Sequence, residues 1–125
     1  MAGIERFEEI RAWQAGRRFV SSIYQISNVG ELRSDFILRD QIRRAALAVP
    51  SNIAEGFERA RPREFHHFLS IAKASCAEAR SDLYIALDVG YITDQTFREL
   101  IAESESAANL IGAFRADLAR RHKLS

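Results

Sequence analysis

The sequence predicts an all-α fold, an antiparallel up-down-up-down four-helix bundle in a single domain over residues 1–125. Three observations predict it. Apolar residues recur every three or four positions through four long segments, the period of a helix with one buried side. Only two prolines and six glycines interrupt the chain, and Ala, Leu, Arg and Glu, all good helix formers, are abundant. No run alternates apolar and polar residues as a half-buried strand does. The 125 residues, 47% hydrophobic and 28% charged, are enough for one core and leave little room for a second.

The first helix is expected from about Glu9 to Ser27, with Phe7, Ile10, Trp13, Val20, Ile23 and Tyr24 along its apolar stripe. Asn28-Val29-Gly30 stops it, because Asn and Gly tolerate the left-handed conformation that ends helices. The second helix opens at Ser34, read as the N-cap, with acidic Asp35 in its first turn. Ile42, Ala46, Val49, Ile53 and Phe57 carry its stripe across Pro50 without a change of phase. Proline removes one backbone donor and crowds the carbonyl of Ala46, so a kink is expected there and not an end.

The third helix starts at Pro62, whose fixed φ suits the first helical position. Phe65, Phe68, Leu69, Ala72, Cys76, Ala79, Leu83, Ala86 and Leu87 follow on one stripe, and Gly90 caps it. The fourth helix has Thr93 as N-cap and Asp94 in its first turn. Phe97, Leu100, Ile101, Ser104, Ala108, Ile111, Phe114 and Leu118 form its stripe, and Arg120, Arg121, His122 and Lys123 suit the negative end of its dipole. Short connections make neighbouring helices antiparallel.

Some large apolar residues fall off these stripes. Leu47 shares a polar face with Asp40, Arg44 and Ser51, Ile71 and Ile85 line a second face of the third helix, and Phe19 and Ile26 widen the first stripe. Scattered exposed apolar residues are normal in soluble proteins. Extra apolar faces on so small a bundle favour subunit contacts, so an oligomer is expected.

Composition narrows the chemistry. The formal net charge of +1 gives no global attraction to polyanions. One cysteine, Cys76, cannot form an intrachain disulfide, and Met1 to Arg11 has no apolar leader core, so a cytoplasmic protein is expected, with no membrane contact. His66 and His67 are adjacent on a helix and point about 100° apart, and no HExxH or facing Glu-x-x-His motifs occur, so no metal site is expected. Cys76 sits on an apolar stripe and reads as structural. With no phosphate loop and no nucleophile elbow, neither an enzyme nor a cofactor is expected.

The basic stretch from Arg39 to Arg63 is the most informative. It holds Arg39, Arg43, Arg44, Arg59, Arg61 and Arg63 against Asp40, Glu55 and Glu58. Guanidinium forks fit phosphate oxygens and can hold a backbone without reading sequence, which makes these six the candidate nucleic-acid contacts. Asp35 with Arg39, Asp40 with Arg44, and Glu55 with Arg59 are also i,i+4 pairs in the favourable order. Charge alone favours such solvated pairs over a ligand.

The segment Asp40-Gln41-Ile42-Arg43-Arg44-Ala45-Ala46, then Val49-Pro50-Ser51-Asn52-Ile53-Ala54-Glu55-Gly56 and Arg59, resembles the four-helix bundle proteins encoded within intervening sequences of bacterial 23S rRNA genes. That family is related to the accessory variability determinant of diversity-generating retroelements. Phe7 with Ala12-Trp13-Gln14, Glu64-Phe65, Phe68-Leu69, Ile71-Ala72, Ser75, Glu78 and Gly90-Tyr91-Ile92 agree with it. Ala48, Ala74 and Arg80-Ser81-Asp82 depart from it, with small residues at the first two positions and extra charge at the third. The resemblance implies a homopentameric ring, and in the retroelement relative a partner reverse transcriptase and nucleic acid bound on a basic surface. It points to Arg43, Arg44, Arg59 and Arg63 for such contact. Pro50, Asn52, Glu55 and Gly56 read as a structural motif, in which the Asn52 carboxamide serves backbone groups left free by the proline. The expected function is therefore a non-enzymatic oligomer that binds RNA or DNA with little sequence preference. The alternatives are a scaffold that binds only protein and a bundle that holds a small molecule or metal.

Overall fold

In the computed structural model the described residues are 3–124. Met1 and Ala2, part of the leaderless N-terminus expected above, and Ser125 lie outside the described residues. A 3-10 turn at Phe7–Glu9 leads into α1 (Arg11–Ser27), followed by the short α2 (Gly30–Ser34), then α3 (Phe36–Glu58), α4 (Pro62–Asp88) and α5 (Asp94–His122). Helix α3 packs on α1 and α4, and α5 packs on α4 and α1, so the four long helices close a square. Among the described residues no helix is long and apolar enough to cross a membrane.

Local chemistry sets most of the boundaries. Pro62 occupies the first turn of α4. Gly90 adopts φ +82°, and the amides of Gly90 and Tyr91 bond back to the carbonyls of Leu87 and Ala86, so the last turn of α4 closes on itself. Thr93 accepts a hydrogen bond from the Thr96 amide at 3.1 Å and caps α5. Helix α5 is the longest of the described helices, at 29 residues.

Two expected starts move. Helix α1 begins at Arg11 and not Glu9, because Phe7–Glu9 winds into the tighter turn. The N-cap of α3 is Asp35 and not Ser34: Oδ1 of Asp35 accepts from the Leu38 amide at 3.1 Å, and Ser34 ends α2 instead. Helix α3 runs unbroken through Pro50. The Asn52 carboxamide donates to the Ala48 carbonyl at 2.7 Å, and so does not serve the Ala46 carbonyl that the proline deprives of its donor.

The interior is divided along the bundle axis. One cluster gathers Ile10, Val49, Ile53, Phe65, Leu69, Cys76, Ile111 and Leu118. The other gathers Phe19, Ile23, Ile42, Leu83, Phe97 and Leu100. Gly16 on α1 and Ser104 on α5 form a collar of small residues between the members of the two clusters. A Cβ on Gly16 would lie 3.0 Å from Val49 Cγ1 and 3.3 Å from Pro50 Cδ, so α1 crosses α3 closely at the proline. The fully buried Ser104 hydroxyl donates to the Cys76 carbonyl at 3.2 Å and joins α5 to α4.

Phe19 and Ile26 correct the expected stripe of α1. Phe19 is fully buried at the centre of the second cluster and Ile26 packs against it, while Tyr24 is exposed. The inward arc runs through Ala12, Ala15, Gly16, Phe19, Ile23 and Ser27. Leu47, Ile71 and Ile85 are exposed, as expected.

Candidate nucleic-acid interface

The six candidate arginines do not form one patch. Arg39, Arg43 and Arg44 lie in the first half of α3, whereas Arg59 follows its last turn and Arg61 and Arg63 begin α4. Twenty positions of helix separate Arg39 from Arg59, which is roughly 30 Å at the usual rise. The two groups therefore occupy opposite ends of the bundle.

Arg43 is committed inside the fold. Its Nε donates to Ser27 Oγ at 2.7 Å, its Nη2 donates to the Ser27 carbonyl at 3.2 Å, and its guanidinium lies 4.5 Å from the Tyr24 ring centre. The side chain thus closes the last turn of α1, where carbonyls lack intrahelical donors. Arg39 pairs with neighbouring Asp40 at 2.9 Å, donates to the Arg33 carbonyl at 3.1 Å and lies over Phe36. The expected pairs of Asp35 with Arg39 and Asp40 with Arg44 are absent, since the Asp35 carboxylate is occupied as the cap and Asp40 by Arg39. Glu55 and Arg59 do pair, at 3.3 Å, with the guanidinium over Phe68. Arg44, Arg61 and Arg63 are exposed and have no carboxylate partner among the described residues.

A further group of arginines, not visible as a basic run in the sequence, lies on α1. From Arg11 to Ser27 the chain has Arg11, Arg17 and Arg18 and no aspartate or glutamate. All three arginines are exposed and none forms an ion pair among the described residues. A groove of about 610 Å³ runs between α1 and α5, lined by Trp13, Gln14, Arg17, Arg18, Ser22 and Glu103 among others. The legible signal was the lack of any carboxylate across a seventeen-residue helix.

Among the described residues no three His, Cys, Asp or Glu side chains converge on a point. Burial pushes the Cys76 thiol up to about 11, which leaves it protonated and poorly nucleophilic at neutral pH. Desolvation, with Arg115 adding repulsion, lowers the His66 pKa below its ordinary value.

The pattern that defines the 23S rRNA-intervening sequence proteins matches residues 8–113. The chain belongs to that family. A crystal structure of a protein of unknown function from the S23 ribosomal protein family of Bacteroides thetaiotaomicron is similar to it, with a TM-score of 0.75 and 20% identity. The alignment covers 83% of this chain and 97% of that one, and at such identity the likeness shows a shared fold. No curated protein matches the chain.

In this 23S rRNA-intervening sequence protein the Pro-x-Asn-Ile-Ala-Glu-Gly block is built for packing. Pro50 abuts Gly16, Asn52 bonds the backbone, and Glu55 pairs with Arg59. A Cβ on Gly56 would lie 2.6 Å from Phe68 Cβ and 2.9 Å from Phe65 Cδ1, so only glycine lets α4 approach α3 there. The block fixes how α3 sits between its neighbours, and the arginines flank it.

Proposed function

We propose that this chain is a non-enzymatic cytoplasmic subunit of a homo-oligomer, a pentameric ring, that holds nucleic acid by its phosphates with little sequence preference. The observation that carries the reading is the set of exposed arginines left without carboxylate partners among the described residues, Arg44 in α3, Arg61 just before α4 and Arg63 in its first turn, with Arg11, Arg17 and Arg18 on α1. Guanidinium groups held in this way are free to exchange water for phosphate oxygens. Repeating a modest patch around a ring multiplies it, because each bound segment raises the effective concentration of the next. A near-neutral subunit can then retain a polyanion.

Support for the oligomer comes from apolar side chains left in water. Ile37 is 87% exposed, Phe36 64%, Tyr84 55%, Val89 54% and Ile85 49%. All five lie on α3, on α4 or just beyond its end. Such residues are the common content of subunit interfaces. A reverse transcriptase remains a proposed protein partner on the family resemblance.

Light scattering tests the first half. A mass of several chains is expected, and a monomer at micromolar concentration would refute it. A gel-shift titration of labelled RNA and DNA tests the second. Binding should fall steeply with salt, and Arg44→Glu with Arg61→Glu and Arg63→Glu should weaken it. Arg43 is unsuited to this test, since its loss would open the end of α1. A scaffold that binds protein alone would show no shift at any salt concentration.

A further inference from the structure

The outward side of α1 differs from every other long helix in its charge. It carries Arg11, Arg17 and Arg18 with no carboxylate of its own, and Arg11, Gln14, Arg17, Arg18, Ser21 and Gln25 are all exposed. It also bears the only tryptophan of the chain, Trp13. Trp13 is half-buried, its ring held edge-on by Phe7 at 5.2 Å between centroids, and the Arg17 guanidinium lies 5.7 Å from the ring centre.

The groove beside it contains two acidic residues, and both are engaged. Glu8 pairs with Arg6 at 2.9 Å, and Glu103 accepts from the Ser22 hydroxyl at 3.0 Å. The groove therefore presents a fixed aromatic ring, two guanidinium groups with no carboxylate partner, and the amide and hydroxyls of Gln14, Ser21 and Ser22. Gln14 is already oriented, its amide donating to the Glu8 carbonyl at 2.9 Å.

We infer that the α1–α5 groove is the surface on which single-stranded nucleic acid lies, with one base stacked on Trp13 and the adjoining phosphates held by Arg17 and Arg18. A stacked base and a cation occupy the same face of an aromatic ring, so Arg17 exchanges its contact with the indole for one with phosphate as the base arrives. Every base has a π-face, so such a site is tolerant of sequence. None of Phe36, Ile37, Tyr84, Ile85 and Val89, the exposed apolar residues assigned above to subunit contacts, lines this groove. This inference rests on the nucleic-acid reading above and names its surface and strandedness.

Trp13 is its own reporter. The full-length protein is titrated with fluorescein-labelled oligouridylate and oligothymidylate of about 20 nucleotides, longer than a single stacking site needs. Anisotropy of the label reports binding and indole emission reports stacking. The expected result is quenching of Trp13 in step with the rise in anisotropy. Arg17→Glu with Arg18→Glu should remove the quenching and weaken binding roughly tenfold or more, with a shallower salt dependence. Arg61→Glu with Arg63→Glu, which weakens phosphate binding elsewhere on the subunit, should leave the extent of quenching at saturation unchanged, and circular dichroism should show both variants folded. Saturable binding with unchanged indole emission, or wild-type affinity in the Arg17/Arg18 variant, would overturn the inference and leave the broader reading standing. No rise in anisotropy at low salt would remove both.

Discussion

The phenol of Tyr91 donates to Oδ2 of Asp35 at 3.0 Å while Oδ1 of the same carboxylate caps α3 through the Leu38 amide. One side chain thus starts a helix and ties it to the turn between α4 and α5. Tyr91→Phe keeps the cap and loses the tie, whereas Asp35→Ala loses both. Urea denaturation should rank them with Asp35→Ala the less stable. The double variant should equal Asp35→Ala within error, because the phenol has no second partner in this pair to lose.

Asp35 and Asp82 should respond to pH in opposite senses. The Leu38 amide, helped by the Tyr91 hydroxyl, lowers the Asp35 pKa. Its stabilising effect is present above the ordinary carboxylate range and fades as pH falls through the lowered value. Burial, reinforced by Glu78, raises the Asp82 pKa, and its Oδ2 is buried without a hydrogen-bond partner. That group favours the fold when protonated and loses the advantage as pH rises through its raised value. Asp82→Asn should therefore stabilise the protein at pH 7, with the gain vanishing in acid. Thermal melts of Asp35→Ala and Asp82→Asn between pH 3 and pH 8, each set against the unaltered protein, check the pair of slopes.

Three helical glycines should separate by the space around them. Gly56→Ala pushes a methyl into Phe65 and Phe68 and should cost roughly 1–3 kcal/mol. Gly16→Ala meets Val49 and Pro50 less closely and should cost less. On Gly112 a Cβ would make ordinary contact with Lys73 at 3.5 Å, so Gly112→Ala should stabilise by roughly 0.5–1 kcal/mol through reduced chain entropy. Chemical denaturation gives all three, and a stabilised Gly56→Ala would contradict the packing of α3 on α4.

Ala60 follows the last turn of α3 with φ +61°, a left-handed conformation that glycine adopts freely and alanine does not. Ala60→Gly should raise stability by about 1 kcal/mol, the usual strain of a Cβ in that region, less the added entropy of the unfolded chain. A fall in melting temperature would contradict this.

Features that depend on one residue's local chemistry were legible in the sequence. Pro62, Gly90 and Thr93 mark helix ends through a fixed ring, a permitted φ and a hydroxyl, and each lies where expected. Ser34 and Asp35 are both competent caps. The choice between them involves Tyr91, which is 56 positions away in sequence. Phe19 falls beside a stripe of large side chains through Ile10, Trp13, Val20 and Tyr24, whereas the small residues Ala12, Ala15 and Gly16 define the inward arc of α1 on which it lies. The arginines were legible as a group but not as a surface. Arg43 is captured by Ser27 through a tertiary contact, and the length of α3 sends the remainder to separate ends. The charge of α1 was present in the sequence as missing acids, a signal weaker to the eye than a run of bases.

The partition of the interior near Gly16 on α1 and Ser104 on α5 bears on how such a protein can change over time. Side chains in the compartment around Leu69 and in the one around Leu83 have few neighbours in common. Losses and gains of volume in one need no matching adjustment in the other, so the two can drift on independent schedules. Only the narrow collar must hold still. Lineages can thus diverge widely in sequence, one compartment at a time, while the backbone keeps its shape.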